Sequence, residues 1–417
     1  MKHTSLFFPK RIPSLFFIGL ITILFSCQSD SEGGKTPLAD ADPIVLKTQY
    51  VNKVQQDNYF AFNLLKTTLK TEKQLNVFVS PLSVSMALSM TLNGAKGETF
   101  NEMRNALYLS NYSLDEINDY NKTMREAILK IDPSTQIRIA NSVWSKQGFP
   151  FESLFLQNNQ DYYEAEINEK DFNDPNTLKI INQWCSEQTN KKIPKILDQI
   201  DPLAIMYLIN AVYFKGIWVS QFEKKLTKDL PFYAENGEKE LVPIMRQTGT
   251  FNLATDDNAA YIELPYGNKA FNMVIMLPHE SKTTQDILNN INWNELTFSP
   301  RSINLELPRF KTECQYELQK QILPEMGMIQ SFTPNADFRN ISSSSGIYLS
   351  RVIHKTYIEV NEEGTEAAAV TAVEVDLTAL PNSNPTAFIV NKPFVFVIRE
   401  NSTGVILFAG KIGDVKK

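Results

Sequence analysis

The chain has 417 residues, 43% hydrophobic and 21% charged, with a formal net charge of −6 and three cysteines. This is ordinary globular composition with apolar residues enough for a large core. A mildly acidic balance without a basic face argues against a nucleic-acid partner, and so few cysteines exclude a disulfide scaffold.

The N-terminus reads as an export signal. Lys2, Lys10 and Arg11 precede an apolar run from Leu15 to Phe25, the layout of a secretory signal. Leu24-Phe25-Ser26-Cys27 resembles a bacterial lipoprotein box, with Phe25 a loose fit. Cleavage is expected before Cys27, with lipid on its sulfur; a plain signal peptide with an incidental cysteine is the alternative. Residues 1–26 would then be removed, taking the formal charge to −9. Residues 27–42, polar and rich in Gly, Pro and Asp, read as a disordered tether between lipid and domain. The expected location is exported, lipid-anchored to a bacterial membrane, at the outer membrane or cell surface.

Residues 43–70 carry apolar positions at helical spacing. NVFVSPLSVSMALSMTLNGAKGET follows as a short strand, a Ser-Pro helix start and an apolar helix ended by Asn93-Gly94. Further helices are expected after Thr99, over 114–131 and over NTLKIINQWCSEQTNKKI, and IRIANSVWSK alternates as a strand. From residue 203 strands take over: LAIMYLINAVYFKG, LPFYAE, GTFNLAT, YIELPYG and FNMVIMLP. SINLELPRFKTECQYEL begins as an alternating strand and LQKQILPEMGM closes as a helix. AFIVNKPFVFVIRE and GVILFAGKI read as a hairpin about residues 401–404. With neither linker nor repeat inside 43–417, the simplest account is one α+β domain.

Catalytic motifs are lacking. After the signal only His279 and His354 remain, and there is no Cys-x-x-Cys, His-Glu-x-x-His, Gly-x-Ser-x-Gly or phosphate loop. Cys185 with His354 as a nucleophile pair is outweighed by its setting on an amphipathic helix face. Lys215-Gly216 has no Ser or Thr after the Lys, and Glu362-Glu363 lacks a general-acid context. No enzyme, metal or cofactor is expected. Cys185 and Cys314 read as free, partly buried thiols, and the sequons at Asn111, Asn121, Asn340 and Asn401 as chance.

One segment stands apart. Thr365 to Leu380 is 16 residues without Gly or Pro, preceded by Gly364 and followed by Pro381. As a strand, Thr365, Ala367, Ala369, Thr371, Val373 and Val375 share one uncharged face. Glu366, Ala368, Val370, Ala372, Glu374 and Asp376 share the other, which carries all the acids and reads as wet. Gly364 permits unusual backbone angles, as a hinge would need. A segment patterned for burial yet followed by turn chemistry is either a permanent strand or a loop able to become one.

Its surroundings decide. NVFVSPLSVSMALSMTLNGAKGET, NAVYFKGIWVSQF, VPIMRQTGTFNL, LELPRFK, MGMIQSFTPNADFRNI, LSRVIHKTYIEVNEEGTEAAA, NKPFVFVIREN and ILFAGKI resemble serpin segments in serpin order, over roughly residues 45 to 415. The serpins are the serine-protease-inhibitor family. The resemblance implies a single α+β domain over 43–417 with a large central sheet, further sheets, about nine helices and an exposed reactive-centre loop, with hinge and loop over 361–390. It implies a hinge of Glu362, Gly364, Thr365, Ala367, Ala369 and Thr371. It puts Ser80, Ser83, Asn210 and His354 in a polar cluster beneath the sheet where strands part, and Trp218 near the top where the loop first enters. The implied activity is suicide-substrate inhibition: the cleaved loop inserts into the sheet and traps the acyl-enzyme. The alternative is a non-inhibitory binding or surface lipoprotein on the same fold.

The family's spacing from Glu362 places the cleaved bond at Thr378–Ala379, with Leu377 and Leu380 as neighbouring alternatives because the following segment is longer than usual. No Lys or Arg occurs between Lys355 and Lys392, so trypsin-like enzymes are poor targets. Leu377-Thr378-Ala379 suits elastase-like pockets. Leu377 itself suits subtilisin-like or chymotrypsin-like ones, or papain-like enzymes reading one residue further back. The expected partners are a serine protease, with cysteine proteases admitted by the same acyl chemistry, and a membrane through the N-terminal lipid. The protein is expected to be a monomer.

Overall fold

The computed structural model describes residues 38–344, 346–366 and 384–415. The signal segment, Cys27 and the loop positions Ala367, Ala369, Thr371, Leu377, Thr378, Ala379 and Leu380 lie outside them. The first half of the chain is mainly helical: α1 (Thr48–Thr71), β1 (Val77–Val79), α2 (Pro81–Leu92), α3 (Gly97–Ala106), α4 (Leu114–Lys130), β2 (Gln136–Lys146), α5 (Ser153–Tyr163), β3 (Glu166–Lys170) and α6 (Pro175–Gln188). Strands then dominate: β4 (Met206–Ile217), β5 (Lys228–Tyr233), β6 (Lys239–Thr255), β7 (Ala259–Tyr266), β8 (Phe271–Pro278), α7 (Thr284–Asn290), β9 (Ser299–Pro308) and β10 (Phe310–Glu317). The chain closes with α8 (Ile322–Glu325), β11 (Ile353–Asn361), β12 (Gly364–Thr365), β13 (Thr386–Ile389), β14 (Phe394–Glu400) and β15 (Ile406–Ile412).

Local chemistry sets many of these boundaries. Ser80 caps α2 by accepting from Ser83 N–H, with Pro81 at the first helical position, where its missing N–H costs nothing. Ser113 with Glu116 and Thr283 with Asp286 form reciprocal caps for α4 and α7. The helix expected across LQKQILPEMGM is only Ile322–Glu325. Pro324 within it brings no N–H, and Gly327 at φ +93° turns the chain out. Eight α-helices are present among the described residues, against about nine expected. The run SINLELPRFKTECQYEL makes two strands in different sheets, separated at Arg309, whose N–H donates to Pro243 O (2.9 Å). The end of the expected tether is already bonded to the domain: Ala41 N–H donates to Asn268 O (2.9 Å), and Asp40 pairs with Lys269 (2.8 Å).

Two sheets organise the domain. One has nine strands in the order β1-β15-β14-β8-β7-β6-β9-β13, with β5 on β6. The other has six, in the order β10-β11-β12-β4-β2-β3. Phenylalanines knit them together: Phe214 of β4 stands edge-on to Phe271 of β8 (5.6 Å) and Phe408 of β15 (6.2 Å), and Phe310 of β10 meets Phe394 and Phe396 of β14. Aromatic pairs at such spacings add to plain area burial. The opposite face of the six-stranded sheet is covered by α6. There Trp144, Ile181, Trp184, Cys185, Tyr207 and Ile209 form a second core. Cys185 and Cys314 are both free and fully buried, deeper than the partial burial expected of them.

Candidate functional site

The six-stranded sheet is continuous only at one end. β10 pairs with β11 over Phe310–Glu317, and β2 pairs with β4 over most of its length. Between β11 and β4 the sole link among the described residues is β12, two residues long. Val360 pairs with Thr365 and Asn361 with Gly364 on one side; Gly364 pairs with Ile217 and Thr365 with Gly216 on the other. Below that wedge the facing edges of β4 and β11 carry no strand partner among the described residues.

The burial pattern records the gap. Tyr207, Ile209, Ala211 and Tyr213, on the outer face of β4, are buried under α6. Met206, Leu208, Asn210 and Val212, on the inner face where core residues belong, are only half-buried. Met206, Leu208 and Asn210 line a cavity of about 290 Å³ together with Ser83 and Leu88 of α2 and His354 of β11. The site is a slot in a sheet, open along its length and closed at the top by the hinge.

The hinge is held by charge and by close approach. The carboxylate of Glu362 is buried and takes a bidentate grip from Arg309 (Nε at 2.9 Å from both oxygens) and a bond from Thr227 Oγ1 (2.6 Å). Burial works against its charge, but Arg309 and Thr227 outweigh that and hold its carboxyl below the ordinary range. Lys224 pairs with Glu363 (2.6 Å). Trp218 N–H donates to Glu363 O (3.0 Å) and Phe222 N–H to Glu362 O (2.9 Å). Gly364 sits at φ +150°, and a Cβ there would lie 2.0 Å from the Gly216 carbonyl oxygen, so no other residue fits. Thr365 Oγ1 meets Tyr266 Oη at 2.6 Å in a buried pair. Trp218 stacks on Tyr266 (4.3 Å) and donates from Nε1 to Asn361 O (2.9 Å). Trp218 therefore lies against the hinge residues.

The expected polar cluster is present but divided across the slot. Ser80 N–H donates to His354 Nε2 (2.9 Å), and Ser80 Oγ donates to Leu407 O while accepting from Ser83 N–H. Asn210, on the other lip, instead donates to Asn141 Oδ1 (2.6 Å), and its own Oδ1 is buried without a partner. Burial pushes His354 down to about 3, so the ring is neutral. Its Nε2 accepts, which places the ring proton on Nδ1.

Several working residues were not singled out in the sequence. Arg309, Thr227 and Lys224 reach Glu362 and Glu363 from distant segments, and no local pattern marks them. Glu366 belongs to the face read as wet, yet it is 9% exposed. The chain turns left-handed there, at φ +56°, which folds the side chain against the sheet. No group of three or more His, Cys, Asp or Glu that could hold a metal ion is found among the described residues.

Comparison with known proteins agrees with this geometry. A family model described as Serpin (serine protease inhibitor) matches residues 55–415, and the chain belongs to the serpin family. That family is one of inhibitors rather than catalysts, and relatives of this chain are named as inhibitors. The leukocyte elastase inhibitor of Xenopus laevis is 34% identical over 371 residues, covering 85% of this chain and 97% of the relative. Among solved structures, the thermophilic serpin tengpin in its native state superposes with a TM-score of 0.77 at 32% identity, covering 91% of this chain and 97% of tengpin. A complex of thyroxine-binding globulin with thyroxine gives 0.77 at 26% identity, covering 88% and 100%.

His354 supplies a pH signature. An imidazole at about 3 in the fold, against 6.5 free, binds its proton better when unfolded. Its effect on stability is thus neutral above about pH 7 and increasingly unfavourable as pH falls below 6.5. The urea midpoint of the intact protein is expected to fall between pH 6.5 and 4.5, before Glu362 begins to titrate. His354→Gln is expected to flatten that slope; an identical slope in the variant refutes the assignment.

Proposed function

We propose that the protein is a suicide-substrate inhibitor of endopeptidases. The observation that carries this reading is the unpaired slot with its hinge already two residues inside. A protease nucleophile attacks the carbonyl of Thr378, the bond to Ala379 breaks, and the amine of Ala379 departs with the C-terminal fragment. The N-terminal side of the loop, freed at one end, adds as a strand between β4 and β11. Serpin loop insertion is an established instance of such strand addition.

The register at the wedge says where each residue would arrive. Running it down the slot sets Thr371 opposite both His354 on β11 and Asn210 on β4, and sets Val375 opposite Met206. The Thr371 hydroxyl would then stand between the His354 ring and the unpartnered Asn210 Oδ1. Thr365, Ala367, Ala369, Thr371, Val373 and Val375 would face inward, and none is charged. Successive residues added would bond alternately to one lip and the other, worth about 0.5–1.5 kcal/mol net per bond, against about 1–2 kcal/mol per residue for ordering the backbone. The local terms nearly cancel. The remaining drive is the filling of a cavity and of two unpaired strand edges.

Trapping is a race against deacylation, at about 1–10³ s⁻¹ for typical enzymes. Small, uncharged inward residues favour fast entry. The absence of Lys and Arg from Thr356 to Asn391 disfavours trypsin-like targets, and Leu377-Thr378-Ala379 favours elastase-like, subtilisin-like or chymotrypsin-like ones. The 34% identity to a leukocyte elastase inhibitor supports the first of these. Papain-like enzymes remain within reach because they also form an acyl intermediate. We further place the inhibitor, as a monomer, at a bacterial membrane through lipid on Cys27.

Incubated with an elastase-like protease, the protein is expected to give a complex that survives a denaturing gel, and the cut form is expected to melt well above the intact one. Thr365→Arg and Thr371→Arg each put a charge on the inward face, and each is expected to turn most of the inhibitor into cleaved product. Equal melting of cut and intact protein, or undiminished complex from both variants, refutes insertion. Cys27→Ala is expected to shift the exported protein from the membrane fraction to the soluble one; a variant that still sediments with membranes refutes the anchor.

A further inference from the structure

The outer mouth of the slot carries a turn with no part in the mechanism above. Past α6 the chain passes through two left-handed residues, Asn190 (φ +49°) and Lys191 (φ +64°). The turn they make reaches both lips. Asn190 Nδ2 donates to Tyr213 Oη on β4 (3.1 Å). Lys192 Nζ lies over the Tyr357 ring on β11 (4.7 Å), donates to its hydroxyl (3.4 Å) and pairs with Glu359 (3.7 Å).

Glu366, the first residue past β12, meets this turn. Its N–H donates to Glu359 O (2.9 Å), and its carboxylate, with a side chain 3% exposed, lies 3.9 Å from Lys192 Nζ. The titratable groups facing it are Lys192 from the turn, Glu359 and Tyr357 from β11, and Tyr213 and Lys215 from β4. A carboxylate this deep is costly unless paired; among the described residues Lys192 is the cation within 4 Å of it, with Lys215 acting from further off.

We propose that Lys192 and Glu366 form a latch that positions the hinge two residues inside the slot of the uncut protein, with a grip set by the charge on Glu366. The latch is a positioning device for the insertion reaction. Its bearing on inhibition rests on the function proposed above, but its existence does not. When Glu366 is charged, Lys192 offsets the burial of the carboxylate; when Glu366 is protonated, no offset is needed. Burial, the largest cause, pushes the Glu366 carboxyl upward despite Lys192. An acid whose pKa is raised in the docked state favours docking at low pH and loosens it as pH rises through the raised value. The hinge is therefore held tightest in acid and released progressively toward alkaline pH.

Hydrogen exchange of the intact full-length protein reads this directly, in the peptide carrying the Thr365 and Glu366 amides and after correction for intrinsic rates. In the wild type this peptide is expected to exchange more slowly at about pH 5.5 than at about pH 8, and Lys192→Met is expected to speed it about tenfold at the higher pH. Lys192→Arg is expected to restore protection. Glu366→Gln is expected to stay protected at both pH values and to abolish the effect of Lys192→Met in the double variant. Exchange in β7 and β8 serves as the folding control. Wild-type exchange from Lys192→Met at the higher pH, or an undiminished Lys192→Met effect in the Glu366→Gln background, overturns the latch. The readout needs no protease. A hinge that responds in a protein that traps nothing would retain the latch and refute the inhibitor; a trapping protein with an unresponsive hinge would do the reverse.

Discussion

Everything distinctive about this fold follows from two strands that do not pair with each other. β4 and β11 are each well bonded on the far side, to β2 and β10, and below β12 neither has a partner on the facing edge among the described residues. Backbone polar groups left without strand partners are costly, so a gap of this kind persists only if something holds it. The wedge of Gly364 and Thr365 does so at the top, where it bonds both strands and fixes their spacing. The floor is α2, capped at Ser80, whose N–H is bonded to His354. One ring thus ties the helix below to the lip above.

Charge makes the wedge durable. The buried carboxylate of Glu362, gripped by the partly exposed Arg309 and by Thr227, clamps the turn between β11 and β12. Glu363 is tied separately to Lys224. The turn is rigid where the chain must stay put, and the residues after it are small and uncharged in every second place.

How much of this was legible in the sequence depended on range. Helix starts were readable because their signals are local: Ser80-Pro81, and the caps at Ser113 and Thr283. The alternation that buries Thr365 was readable too, and the structure puts its hydroxyl on Tyr266. Family resemblance named Ser80, Ser83, Asn210, His354 and Trp218, and their arrangement in space, with His354 bonded to Ser80 and Asn210 to Asn141, is set by contacts between distant segments. The clamp on Glu362 was invisible because Arg309 and Thr227 lie 53 and 135 residues away in the chain. Glu366 was misread as solvated because period-2 reasoning assumes a straight strand, and the backbone bends left-handed at that residue. The shortness of α8 follows from Pro324 and Gly327, whose effects outweigh the apolar spacing around them.

Strand direction carries a last consequence. β12 runs antiparallel to β11 and antiparallel to β4, so those two strands run the same way. Were the gap to shut by their meeting edge to edge, the new ladder would be of the slanted, parallel kind, slightly weaker per residue. A guest continuing from β12 makes two ladders of the perpendicular, stronger kind. The polarity of the two walls, settled when the chain first folds, thus biases the sheet toward accommodating an extra strand over simply zipping closed.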